Sequence, residues 1–224
     1  MRGFFVRLRG RAAQAQRSVA RFNPMNLTAI FESWHIGDGN YPPLSVAQLV
    51  NLSFELEPRK SEEVGLDIPE SFEHLCKGEY RFCGTVLKVY GDAITIIKTG
   101  NFRFYIMSSE SEPYLEGSRY CGEGTLVLDH YSWVEYVAKY EDPPDLFYKL
   151  SVKRILKVNI PEKFVARHET GKSLPTRLLP EDYSVSDVEE INTMQGQPFD
   201  EEFYIIDFDG SGLEGRDIPR TFLS

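Results

Sequence analysis

The sequence predicts a mainly β protein, either a strongly bent antiparallel sheet or a small OB-like barrel, with two short helices. The first observation is a run of strand-like segments from Tyr80 to Met107, broken at Gly91-Asp92 and Gly100-Asn101 as hairpins are. The second is the alternation of apolar and polar residues from Leu146 to Val158. The third is Gly122 and Gly124 within one strand, because such glycines mark a bend or a close backbone approach.

Before the central hairpin, alternating patterns predict strands at residues 26–36 and 49–57. The stretch 58–66 is charged and poor in apolar residues, so we expect a linker or a long loop. Two helices are predicted where apolar residues lie three apart. One is at 68–77, with Phe72 and Leu75, and the other at 185–194, with Val188 and Ile191.

Further strands are predicted at 120–129, 133–140, 146–158 and 203–208, which gives about eight to ten strands in all. We expect the N-terminal strands and the last strand to pack on the barrel or to complete it. The predicted division is a basic extension at 1–24 and a single β-rich domain at 25–224. Within that domain, a barrel-like core covers 78–160 and a C-terminal irregular segment covers 161–224.

The N-terminal extension contains six arginines and no acidic residue. This composition is typical of an organellar transit peptide, although serine is scarce. The alternative is that Met25 is the true start and residues 1–24 lie upstream of it. We therefore expect a cytoplasmic protein, or an organellar one if the extension is a transit peptide.

The three cysteines, Cys76, Cys83 and Cys121, are an odd number and are spaced too irregularly for a zinc site. We expect all three to be reduced, small core residues, in agreement with a cytoplasmic location. Cys121 as a nucleophile is the weaker interpretation, because a buried strand cysteine is far more common.

The charge of the chain is uneven. It has 25 basic and 34 acidic residues, and without the six N-terminal arginines the balance is 19 against 34, or −15. Such a body repels phosphate backbones, so no nucleic-acid partner is expected. No apolar run approaches the roughly eighteen residues of a membrane helix, so no membrane is expected. The acidity favours encounter with a basic protein, and simple solubility is the alternative explanation.

One segment combines aromatic residues and carboxylates in the way that protein-recognition surfaces do. We expect it to bind a protein partner. The first hypothesis is therefore an acidic, non-enzymatic binding protein, and an inhibitor or immunity-type protein is one concrete form of it. Core packing is the alternative, above all for the tryptophan. The segment's residues are Tyr131, Trp133, Glu135, Tyr136, Tyr140, Glu141 and Asp142.

No catalytic set can be assembled, since the four histidines are scattered and no serine lies in a nucleophile elbow. The second hypothesis is a small-ligand-binding protein or enzyme with its pocket at the barrel mouth. The polar residues that would converge there are Arg103, Tyr105, Glu123 and His130.

Asp207, Asp209 and Ser211, followed by Gly212, match the first half of an EF-hand calcium loop. The second half does not match, because position twelve is Ile218 where a bidentate glutamate belongs. Calcium is therefore the one cofactor that the sequence suggests. An acidic turn after an edge strand is the favoured alternative.

Overall fold

The computed structural model describes residues 25–91, 94–107, 114–128, 146–159, 183–191, 202–210 and 215–216. Of these residues, 71% lie in strands and 3% in helix, which confirms the mainly β class. In this part of the chain, no helix has both the length and the apolar character needed to cross a membrane.

The described elements are one short helix and fourteen strands. The strands of the first half are β1 Met25–Glu32, β2 Leu44–Ser45, β3 Leu49–Leu52, β4 Glu55–Val64, β5 Ser71–Cys76, β6 Glu79–Tyr90, β7 Ile94–Thr99 and β8 Phe102–Met107. The helix α1 spans Trp34–Gly37. The remaining strands are β9 Arg119–Val127, β10 Phe147–Asn159, β11 Ser184–Val188, β12 Glu190–Ile191, β13 Phe203–Gly210 and β14 Gly215–Arg216.

Five strands form a closed barrel, which confirms the predicted small barrel. β6, β7 and β8 are a meander of antiparallel strands. β8 then pairs in parallel with β4 through Tyr105 and Glu55, β4 pairs antiparallel with β9, and β9 pairs antiparallel with β6. Because β9 lies between β4 and β6, these five strands form a closed ring. β5 adds to it from outside, along the first half of β6.

The N-terminal and C-terminal strands extend this sheet, as predicted. β1 joins β9 through a parallel pair, Ile30 with Val127, and β13 and β10 follow in order. β10 also pairs with β3, which is separated from β4 by only two residues. The same chain segment therefore contributes to both the barrel and the strands that extend its sheet.

Aromatic side chains from the barrel and from the added strands pack into one core. The ring of Phe54 packs against Phe102, Tyr148 and Phe208, at centroid distances of 5.7, 6.3 and 6.1 Å. Phe72 from β5 adds contacts with Phe102 and with two further rings. Since these rings occupy the interior, the barrel's chemistry is directed to its outer surface.

The two glycines of β9 lie where the sequence predicted a close approach. A Cβ atom on Gly122 would be 2.3 Å from the carbonyl oxygen of Lys60, and one on Gly124 would be 2.4 Å from that of Glu57. The register of β4 against β9 shifts at this point, between Pro58 and Lys60. Only residues without a side chain allow β4 to bend across β9 here.

Both predicted helices are wrong. Residues 71–76 of the first form β5, because Phe72 enters the core while Ser71 and Glu73 face outward, a period of two. Within 185–194, residues up to 191 form β11 and β12 instead. The predicted loop at 58–66 is also wrong up to Val64, since β4 continues along β9. Pairing with β9 supplies its backbone hydrogen bonds, so this strand needs few apolar side chains.

The expectation of three reduced core cysteines is wrong as well. Cys83 and Cys121 form a disulfide, while Cys76 is exposed and free. The two bonded residues lie directly opposite each other on β6 and β9, with their Cα atoms 4.0 Å apart. Because the pairing register cannot be seen in the sequence, neither can this bond. The cysteines therefore no longer argue for a reduced compartment.

Candidate functional site

The aromatic and acidic segment predicted to bind a partner, Tyr131 to Asp142, lies outside the described residues, and so does the strand predicted at 133–140. Its role in binding remains a prediction. The basic extension at 1–24 lies outside them too.

The structure places two of the three predicted calcium ligands within β13 rather than in a loop. The Asp207 carboxylate accepts a hydrogen bond of 2.6 Å from the Thr28 hydroxyl, and the Asp209 carboxylate is 3.8 Å from the Lys153 ammonium. Ser211 lies outside the described residues. Among the residues that are described, no three or more histidine, cysteine or acidic side chains form a group that could hold a metal ion.

The polar residues predicted to meet at the barrel mouth are dispersed where they are described. Tyr105 is fully buried against Leu146 and Phe147, on the outside of β8. Glu123 lies on the outer face of β9, bound to Arg81. His130 is outside the described residues.

The structure instead brings functional groups together on the outer face of β6 and β9. Outward-facing residues on these two strands lie directly opposite one another and form four consecutive cross-strand contacts, which we call the outer ladder. Opposed pairs of this kind are the unit of side-chain interaction in antiparallel sheets. The rungs of the outer ladder are Glu79–Thr125, Arg81–Glu123, Cys83–Cys121 and Thr85–Arg119.

The second rung is a charged network at the solvent boundary. Arg81 donates to Glu123 at 3.1 and 3.2 Å and to Glu73 at 3.2 Å, while the Lys60 ammonium is 3.4 Å from the other Glu123 oxygen. The hydrogen bond from Arg81, assisted by Lys60, holds the pKa of Glu123 below its usual value. Glu123 therefore remains an anion, with two cations beside it.

The fourth rung fixes the connection between β4 and β5. This connection, residues 65–70, crosses the end of the outer ladder, and we call it the crossover. Arg119 donates to the carbonyl oxygens of Leu66, at 2.9 Å, and Ile68. Its guanidinium also contacts Glu70 and the Thr85 hydroxyl, and Glu70 in turn accepts from the Gly100 N–H at 2.7 Å. Arg119 thus contacts three residues of the crossover, and Glu70 adds contacts of its own with the barrel.

A cavity of about 420 Å³ opens beside the second and third rungs. Its lining comes from three neighbouring strands: Lys60, Ser61 and Glu62 of β4, Cys121, Gly122 and Glu123 of β9, and Arg81 of β6. Cys121 lines this cavity and is partly exposed, whereas Cys83 is 4% exposed. The two halves of the disulfide therefore differ in access to solvent.

Four of the eight exposed large apolar side chains in the described part of the chain lie on segments that meet at the fourth rung. Arg119 binds the crossover, and the turn before β9 is hydrogen bonded to Val86 of β6 through Ser118. We call these side chains the apolar corner. They are Leu66, Ile68, Leu87 and Leu115.

The stretch that carries half of the apolar corner is also strongly acidic. Residues 55–76 contain seven carboxylates against two basic residues, a net charge of −5. This local charge is visible in the sequence, although the sequence predicts a linker or a long loop at residues 58–66. The contacts of Arg119 could not be predicted, because nothing in the sequence places this residue beside residues some fifty positions earlier.

No protein-family model, no curated protein and no solved structure matches this chain.

Proposed function

We propose that the protein is a non-enzymatic binding protein that recognises a basic protein partner, in the manner of an inhibitor or immunity-type protein. The observation that supports this most directly is the apolar corner. Leu66 and Ile68 are 64% and 41% exposed, and the backbone that carries them is fixed by Arg119. Clusters of exposed apolar side chains on a fixed backbone are typical of protein-binding surfaces.

The energetic argument follows from burial. Full burial of a leucine or isoleucine side chain is worth about 1.5–3 kcal/mol, so a partner that covers the two half-exposed residues gains about 2–3 kcal/mol from them. Because the crossover is already held in one conformation, little of this gain is lost to ordering it. The free protein bears the cost of exposing these residues.

The charge around the corner defines the chemistry of the partner. A stretch of net charge −5 attracts lysine and arginine and repels phosphate groups. The partner that fits is therefore a basic protein segment with apolar side chains of its own. We further propose that the aromatic and acidic segment at 131–142 provides a second contact region for the same partner.

A defined peptide tests this proposal on the full chain. The probe is a fluorescent peptide that alternates lysine and leucine. A lysine–serine peptide of equal charge and a glutamate–leucine peptide of opposite charge are the controls. We expect binding, measured by anisotropy, to be strongest for the lysine–leucine peptide and to weaken as salt is raised.

The double variant Leu66→Ser, Ile68→Ser should weaken binding of the lysine–leucine peptide by about 30- to 150-fold, equivalent to about 2–3 kcal/mol of lost apolar burial. The matched control is Leu49→Ser, because Leu49 is 63% exposed but lies on β3, which pairs with β10. Equal losses in the two variants, or equal binding of the lysine–serine peptide, would remove the apolar corner from the proposal.

The alternative function, small-ligand binding, is supported by the cavity beside the outer ladder rather than by the barrel mouth. Its volume of about 420 Å³ is within the range of small-molecule sites, about 300–1,000 Å³. A free amino acid that raised the melting temperature of the protein, but not that of Lys60→Gln, would favour this alternative.

A further inference from the structure

We propose that the cavity beside the outer ladder is a thiol-exchange site, in which a small zwitterionic thiol attacks the Cys83–Cys121 disulfide at Cys121. The proposal rests on the cavity and the disulfide alone, so it is independent of protein binding at the apolar corner. Three features of the third rung and its neighbours support it.

The first feature is the unequal access to the two sulfur atoms. Cys83 lies opposite Ser71 of β5, and its side chain is buried. Cys121 lies opposite Glu62 of β4, beyond the register shift of that strand, and this partly exposed residue lines the cavity. Exchange requires a thiolate to reach one sulfur, and access decides which sulfur is attacked. The attacked atom is therefore the Sγ of Cys121.

The second feature is the charge of the cavity walls. Lys60 and Arg81 provide cationic groups, and Glu62 and Glu123 provide carboxylates, within one lining. Glu123 is already bound to both cations, while Glu62 is exposed on the β4 wall. A ligand with one carboxylate and one ammonium group, as in cysteine, can pair its carboxylate with Lys60 and its ammonium with Glu62. A purely anionic or purely cationic thiol makes only one of these contacts.

The third feature concerns the leaving group. Arg81 is two residues before Cys83 on the same outward face, which places a cationic side chain on the face where the departing sulfur gains negative charge. In the first step the external thiolate bonds to Cys121, the disulfide bond breaks, and its electron pair leaves with Cys83 as a thiolate. A second external thiolate then attacks the outer sulfur of the mixed disulfide. This releases the small-molecule disulfide and a Cys121 thiolate, so two thiols are oxidised and one protein disulfide is reduced.

The experiment uses the folded, oxidised full chain without denaturant. It is exposed to cysteine, to cysteamine, which lacks the carboxylate, and to mercaptopropionate, which lacks the ammonium group. Rates are normalised to the thiolate concentration and to the rate with hydroxyethyl disulfide, so that differences in intrinsic reactivity cancel. The reaction is stopped with acid, and the modified cysteine is identified by peptide mass spectrometry.

We expect a mixed disulfide on Cys121, and a rate for cysteine about two- to fivefold above those of the two matched thiols, as expected for one exposed ionic contact. Lys60→Gln should abolish the advantage over cysteamine, and Glu62→Gln the advantage over mercaptopropionate. Lys88→Gln is the matched control, because Lys88 is an exposed lysine of β6 whose ion pair, with Glu116, lies outside the cavity. Adducts on Cys83, equal normalised rates for the three thiols, or reduction only after unfolding would each overturn the proposal.

Discussion

Replacing Arg119 should destabilise the protein far more than replacing Arg81, although both arginines are outward-facing members of the outer ladder. We expect Arg119→Ala to lower the free energy of unfolding by about 2–3 kcal/mol, the value of hydrogen bonds to a charged group. We expect Arg81→Ala to lower it by at most about 1 kcal/mol, as is usual for exposed ion pairs. The difference follows from burial and from the kind of partner that each guanidinium binds.

The side chain of Arg119 is 14% exposed and that of its partner Glu70 is 24% exposed, so their contact is shielded from solvent. Without Arg119, Glu70 keeps the hydrogen bonds from Thr85 and from the Gly100 N–H but loses its cation. The freed carbonyl groups of the crossover belong to exposed residues and can bind water, so they add little. Arg81, by contrast, is 54% exposed, and water replaces its contacts at small cost.

The free energy of unfolding of both variants is measured by urea denaturation, followed by circular dichroism. The midpoints can be compared if the slope of this free energy against urea concentration is unchanged. For a chain of this size, the melting temperature should fall by about 5–10 °C for Arg119→Ala and by less than about 4 °C for Arg81→Ala. Arg119→Lys should be intermediate, because lysine keeps the charge but cannot reach several acceptors in one plane. Equal losses for Arg119→Ala and Arg81→Ala would refute the assignment of Arg119 as the residue that fixes the crossover.

Two further predictions concern the barrel itself. Gly122→Ala should cost at least about 2 kcal/mol, because its Cβ would meet the Lys60 carbonyl at 2.3 Å, whereas Gly37→Ala, with no atom within 4 Å, should cost nothing measurable in the same urea assay. Burial raises the pKa of Tyr80 to about 12 in the folded protein. The contribution of Tyr80 to the free energy of unfolding is therefore complete below its unfolded-state pKa, near 10, and is lost as pH rises through its folded-state pKa. Across this pH window the free energy of unfolding should fall by about 2–3 kcal/mol, and this fall should be absent in Tyr80→Phe. An identical pH dependence in the two proteins would contradict the prediction.

The sequence was informative wherever a strand has one apolar face or is apolar throughout. β10 buries alternate residues along much of its length, while β6, β8 and β13 also contain runs of three consecutive buried residues, and the patterns of all four strands predicted them. The spacing of Phe72 and Leu75 misled because only Phe72 is part of the core, while Leu75 is 39% exposed. Two apolar residues three apart predict a helix only if both are buried on the same side.

The outer ladder could not be predicted, because its rungs depend on the register between β6 and β9. The partners in these rungs are 34 to 46 residues apart in the chain. A shift of one residue would turn each of these side chains to the opposite face of the sheet. The same limit explains the cysteines, whose pairing follows from the register and not from their spacing.

The two proposed sites occupy different ends of one rigid structure, and this makes them separable. The apolar corner depends on the Thr85–Arg119 rung, and the cavity is lined by the Arg81–Glu123 rung. The disulfide rung lies between them, and the backbone pairs of β6 with β9 continue on both sides of it. Reduction of the disulfide therefore leaves the ladder's register in place, since the hydrogen bonds of both strands still define it. It follows that peptide binding at the corner and thiol exchange in the cavity respond to different substitutions, and the failure of either proposal leaves the other to stand on its own residues.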